Sequence, residues 1–179
     1  MVCADIQETG KQTADDIVAA GGTATAVVMD VTKAADWDRT VAEAVRLHGT
    51  VDLLANIAGV VALDGPDTVV GITEERWDHV VGVDLKGVWL GMRAVIPTMV
   101  EQGGGRICSV ASMAALRGLP NLAAYSAATG GVAALTRQAA IEHAADNILV
   151  NTVAPGTIDT PILAGVQPEH LKHSRLPMR

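Results

Sequence analysis

Two periods of apolar residues alternate along the chain: short β-branched runs, and longer stretches in which apolar positions recur every three to four residues. "MVCADI" (1–6) predicts a strand. Residues 10–20 predict a helix closed by Gly21 and Gly22, the residue type that tolerates the left-handed position after a helix. "TATAVVMDV" (23–31) predicts the next strand, and Thr32 is then expected to cap a helix with Trp37, Val41, Ala44, Val45 and His48 on one face. "VDLLANIAG" (51–59) reads as a buried strand, followed by a loop to about residue 72. Thr73 with Glu74 and Glu75 starts a long helix, the acids facing the positive end of its dipole. That helix runs to about Gln102, with a disturbance expected at Pro97. Gly103 to Gly105 turn the chain into the strand "RICSVAS" (106–112). A helix that opens in "AAYSAATGGVAALTRQAA" (123–140) is expected to end near Asn147, before the strand "ILVNTVAPG" (148–156) and a loop-like tail, 157–179. No internal repeat or low-complexity segment interrupts this order.

Strand, helix, strand repeated in this way implies parallel strands with right-handed crossovers, hence an α/β doubly wound sheet with helices on both faces. The 179 residues suit one domain, 1–179. In such sheets ligands bind beyond the carboxyl ends of the strands. The residues to inspect are therefore Ala4 to Ile6, Asp30 and Val31, Asn56 to Gly59, Ser109 to Ser112, and Pro155 with Gly156.

Composition narrows the partners. A hydrophobic content of 49% with no phenylalanine and three tryptophans makes an aliphatic core. A net charge of -7 with no basic stripe argues against nucleic acid or an anionic membrane. Residues 118–136 are uncharged but contain Pro120, Asn121, Tyr125, Ser126 and three glycines, so they fall short of a spanning helix. The first residues lack a secretion signal, and Cys3 and Cys108 have neither metal-ligand nor redox spacing. The expectation is a cytoplasmic protein with reduced thiols.

Asp5 ends the first strand, where a carboxylate can accept two hydrogen bonds from an adenosine ribose and would repel a 2′-phosphate, favouring NAD over NADP. Asp30 invites the same reading. A turn or helix-capping aspartate would look the same at either position. In "NIAG" an amide stands beside small residues, suited to close approach by a flat ligand or to a tight turn. Ser112 and Tyr125 lie thirteen residues apart, one at a strand end and one on the following helix. A phenol there can donate a proton to a carbonyl as hydride arrives, while the serine hydroxyl holds the same oxygen.

Taken together, "VCADI", "MDV", "NIAG", "VGVDLKGVW", "GRICSVAS", "AYSAATGGVAALT" and "VNTVAPGTIDTPI" resemble the short-chain dehydrogenase/reductase family in order and spacing, from Val2 to about Leu163. The resemblance implies a Rossmann fold and an NAD(P)-dependent oxidoreductase of small alcohols and ketones. By position, it makes Asp5 the ribose carboxylate and Asp30 with Val31 the adenine contacts. Asn56, Ala58 and Gly59 would line the adenosine side. Ser112 and Tyr125 match the catalytic pair, and Pro155, Gly156, Ile158 and Thr160 match the loop that holds the nicotinamide carboxamide. The long helices, 73–102 and 122–145, would form a homo-oligomer interface.

The chain departs from the family pattern in four places. Thr129 stands where a lysine is usual, one helical turn from Tyr125; threonine could keep a ribose hydrogen bond but supplies no charge to lower the phenol's pKa. Asp84 stands where asparagine is usual and, if ionised, would raise that pKa further. Lys86 is badly placed to compensate, because residues two apart on a helix do not face each other. The glycine-rich phosphate turn and its strand, expected before "VCADI" and between the strands 1–6 and 51–59, are not found; Gly82, Gly87 and Gly91 read as close helix packing instead. A final helix and strand expected after "HSRLPMR" are also not found. Three readings follow: an impaired oxidoreductase using NAD, a non-catalytic relative acting with a complete partner, or a fragment that does not fold stably.

Overall fold

The structure, a computed structural model, describes residues 1–8, 10–61, 65–158, 160 and 162. Strands and helices alternate through them as β1 (Val2–Asp5), α1 (Gly10–Ala19), β2 (Thr25–Val28), α2 (Ala34–His48), β3 (Leu53–Asn56), α3 (Glu74–Val81), α4 (Gly87–Glu101), β4 (Gly105–Val110), α5 (Ala123–Glu142) and β5 (Ile148–Val153). Every strand pairing among the described residues is parallel, as the alternation predicts. β1 pairs with β2, and β3, β4 and β5 form a second sheet in that order. Its register sets Asn56 beside Ser109 and Ser109 beside Thr152. The expected single sheet is thus divided in its hydrogen bonding: β1 and β3 share no ladder. Most of the expected loop-like tail lies outside the described residues.

Local chemistry sets most element ends. At the end of α1, Gly21 takes φ 86°, and the Gly22 and Gly21 N–H groups donate to the carbonyls of Ile17 and Val18, closing the helix as a left-handed glycine cap does. Thr73 caps α3 as expected, its hydroxyl accepting the Arg76 N–H. Thr32 does not cap α2. The cap position falls on Lys33, and the Thr32 hydroxyl donates instead to Asp30. His48, expected on the buried face of α2, is exposed. α5 ends at Glu142, short of Asn147, which closes the following turns at φ 59°.

The long central helix is disturbed, but not at Pro97, which sits within α4 near its C-terminal end. The disturbance is a π-helical turn, Gly82–Lys86, joining α3 to α4. Such a turn inserts an extra residue into the helical ladder and is frequent at functional sites.

The main core gathers Met29, Trp37, Leu54, Ile107, Ile148 and Val150 with the inner faces of α4 and α5. A smaller cluster of Val80, Ala124 and Ala128, flanked by Val60, Ile72, Leu85 and Tyr125, fills the space between α3, the loop after β3 and the start of α5. Between β3 and α4 the fit is tight. A Cβ on Gly91 would stand 2.7 Å from Asn56 Oδ1 and 2.8 Å from the Trp37 ring. Alanine in place of glycine would gain about 1 kcal/mol of helix propensity in an open helix, but here it would force a rigid indole and a buried amide to move. Gly91→Ala is expected to lower stability by about 1–3 kcal/mol, read as a lower urea midpoint at unchanged slope. A stabilised variant would contradict this packing.

Candidate active site

Ser112 follows β4 by two residues in extended backbone, and its hydroxyl accepts the Ala114 N–H at 3.2 Å, opening a short 3-10 turn, Met113–Ala115. Tyr125 is the third residue of α5, half-buried over the small apolar cluster. The Ser112 hydroxyl stands close enough to the phenol to favour its ionised form. Burial pushes the Tyr125 phenol above its ordinary value of 10.0; the Ser112 hydroxyl works against that shift and the nearby Asp84 carboxyl adds to it.

Asp84 lies in the π-helical turn, 6% exposed, and is the electrostatic centre of this region. Its Oδ1 accepts the Val60 N–H at 2.9 Å and its Oδ2 is buried without a hydrogen-bond partner. Among the described residues no cation pairs with it, and Lys86 is exposed, as its position two residues on requires. Burial therefore dominates, and the Val60 bond only partly offsets it. The carboxyl is pushed up from 3.8 to about 7.

Thr129 is almost completely buried, at 3% exposure, and its hydroxyl donates to the Tyr125 carbonyl one turn back at 2.9 Å. In this structure the Thr129 proton is given to its own helix, as is common for threonine within helices. The side chain supplies neither charge nor an outward donor.

The remaining sequence candidates stand at strand ends, with different degrees of freedom. Asp5 is exposed, and one carboxylate oxygen accepts the Gln7 N–H. Its carbonyl accepts the Met29 N–H, so the chain after β2 continues past Asp5 at the carboxyl end of the β1–β2 sheet. Asp30 accepts both the N–H and the hydroxyl of Thr32, and the hydroxyl bond is the first cause of its lowered pKa. It does the work of a turn aspartate. Val31 packs against Gly87 while its carbonyl accepts the Trp37 indole N–H. Asn56 turns inward: its amide donates to Ser109 Oγ at 3.1 Å, and its Oδ1 is buried without a partner. Its expected place lining a ligand is therefore left to the exposed Ala58 and Gly59. The Pro155 carbonyl accepts the Met113 N–H at 2.9 Å, tying the loop after β5 to the residue next to Ser112, and Gly156, Ile158 and Thr160 continue it as exposed residues.

One residue escaped the sequence reading. Asp67, in the loop after β3, is fully buried and accepts the Ala124 N–H at the start of α5. The available signal was indirect: Leu122, at the cap position of α5, has no side-chain acceptor to offer, so the cap must come from elsewhere.

Parallel strands joined by crossover helices define a Rossmann-like α/β protein, with Ser112 and Tyr125 near the carboxyl end of a strand, where such sheets bind ligands. The family model described as short chain dehydrogenase matches residues 1–170. A 2,5-dichloro-2,5-cyclohexadiene-1,4-diol dehydrogenase of Sphingobium indicum is 34% identical over 96% of this chain and 68% of its own length. A cyclohexanol dehydrogenase of an Acinetobacter species is 36% identical over 92% of this chain and 65% of its own. The crystal structure of a short-chain dehydrogenase/reductase from Burkholderia xenovorans superposes with a TM-score of 0.88 at 33% identity, covering 99% of this chain and 70% of that one. The chain belongs to the short-chain dehydrogenase/reductase family, and family membership implies an NAD(P)-type dinucleotide. It spans from 50% to 70% of the length of the proteins it matches. Among the described residues no helix is long and apolar enough to cross a membrane, and no group of side chains could hold a metal ion.

The Asp84 carboxyl has a consequence for stability. Its folded pKa of about 7 lies above the unfolded value of 3.8, so between these limits the folded state holds a proton that the unfolded state has lost, and stability falls as pH rises through that window. At about 1.4 kcal/mol per unit, the total is on the order of 4 kcal/mol. Asp84→Asn is expected to remove this loss. Urea unfolding should show the variant gaining on the parent from pH 4 to 7 and levelling off above; a difference independent of pH would contradict it.

Proposed function

We propose that this chain carries the acid–base centre and part of the nucleotide site of an oxidoreductase that transfers hydride between NAD(H) and a small secondary alcohol or ketone, with its turnover impaired. The observation that carries the reading is the placement of Ser112 just beyond the carboxyl end of β4 and of Tyr125 in the first turn of α5, with the serine hydroxyl near enough to act on the phenol's ionisation. In reduction, the Tyr125 phenol gives its proton to the carbonyl oxygen while Ser112 holds the same atom; in oxidation the phenolate takes that proton back. NAD(H), when bound, supplies or accepts the hydride at the carbonyl carbon. The exposed Asp5 carboxylate favours NAD over NADP. Asp30 and Val31 offer backbone rather than side chain on the adenine side, with Ala58 and Gly59 opposite. Pro155, Gly156, Ile158 and Thr160 hold the nicotinamide end. The relatives named for cyclohexanol and for a cyclic diol favour an alicyclic substrate.

Impairment follows from charge. Thr129 and Asp84 replace a cation and a neutral amide with a neutral hydroxyl and a carboxyl, and the phenol is raised rather than lowered. Oxidation, which needs phenolate, suffers most.

The exposed Leu53 and Ile57 at β3, and the missing ladder between β3 and β1, support a single partial dinucleotide-binding domain that lacks the parallel strand expected between them. The exposed Trp89 on α4 and Ile141 on α5 support association of copies through these helices. The unpaired Cys3 and Cys108 suit a reducing, cytoplasmic setting.

Steady-state assays of cyclohexanol with NAD test the reading. Oxidation is expected to rise with pH toward and beyond 10, and Tyr125→Phe to lower kcat about 100-fold or more. Turnover unchanged in that variant would overturn the assignment.

A further inference from the structure

We infer that Asp67 is a positioning residue that seats the first turn of α5, and with it Tyr125, against the site. The inference rests on the reading of Tyr125 as the acid–base group. Asp67 lies in the loop after β3, 57 residues before its partner, and is fully buried. Its Oδ1 accepts the Ala124 N–H at 2.9 Å and its carbonyl oxygen accepts the Ala123 N–H at 3.0 Å. These are two of the N–H groups that a helix start leaves without acceptors. The helix has no local substitute, because Leu122 provides no side-chain cap.

The loop that carries Asp67 is anchored on both sides. The Pro66 carbonyl accepts from Arg76 on α3, and the Thr68 hydroxyl and carbonyl accept the N–H groups of Gly71 and Ile72. Val60 and Ile72, toward its two ends, pack into the same small cluster as Ala124 and Tyr125. The residue whose amide Asp67 holds is therefore the immediate neighbour of Tyr125 and is itself fully buried. A carboxyl buried in this way is costly; its Oδ1 and the residue's carbonyl oxygen are both spent on the first turn of one helix, while its Oδ2 is buried without a partner. A cap of this kind fixes where the turn begins and hence how deeply the phenol sits.

Tyr125 is the only tyrosine, so ultraviolet titration of phenolate reads this one side chain. Burial holds its midpoint above the ordinary value in the parent. In folded Asp67→Ala the midpoint should fall toward about 10, the value of an exposed phenol. In Asp67→Asn, which keeps an oxygen for Ala124, it should stay where the parent has it. A folded alanine variant with the parent's midpoint, or a folded asparagine variant whose midpoint falls, would overturn the inference. Should Asp67→Ala fail to fold, amide hydrogen exchange on the unaltered chain decides. The Ala123 and Ala124 amides should exchange as slowly as those of the helix interior, and the fast exchange usual for a first turn would refute the cap. A shifted phenol midpoint with unchanged cyclohexanol turnover would leave the positioning role standing and sink the catalytic reading instead.

Discussion

An uncompensated carboxyl in the π-helical turn is the constraint on which the site depends. Asp84 is drawn into the protein by the junction of α3 and α4, and one N–H, that of Val60, answers one of its oxygens. A buried charge without a counter-charge neutralises rather than persists. The group therefore takes up its proton in a range where ordinary aspartates are ionised. Because it stands beside Tyr125, its state enters directly into how readily the phenol ionises.

The same bond ties chemistry to architecture. Val60 belongs to the loop that leaves β3, and further along that loop Asp67 reaches the start of α5. Two buried carboxyls thus tie the loop to its neighbours, Asp84 holding Val60 from the π-helical turn and Asp67 holding the start of α5. Behind them, Asn56 and Ser109 bridge β3 and β4 inside the sheet, and Gly91 lets α4 approach closely enough to cover that pair. Ser112 and Pro155, at the ends of β4 and β5, are joined through Met113. The catalytic candidates are therefore held from the sheet below and from the loop at the side.

Much of this was legible in the residues alone. Periodicity and glycine punctuation gave the order of strands and helices, and the motifs in register gave the family. The misses have local physical causes. Thr32 has the right side chain for a cap, but Asp30 two residues earlier offers a stronger, charged acceptor. Pro97 lies near enough to the end of α4 to be accommodated, while the π-helical turn has no sequence signature of its own. Asn56 looks like a ligand-facing amide because alternation along a strand does not say which side is the core. Asp67 acts across 57 residues of sequence, and no local pattern encodes a cap supplied from that distance. The inward donation of Thr129 was recoverable in principle, since threonine within helices commonly bonds to the turn before it.

The central claim is that Asp84 is buried without a counter-charge and holds its proton close to neutrality. Carbon-13 NMR titration of its side-chain carboxyl, assigned by the resonance lost in Asp84→Asn, measures this directly. The account predicts a midpoint of about 7. A midpoint near 3.8, the ordinary aspartate value, would contradict it, because the carboxyl would then be as well solvated or as well paired as any at the surface.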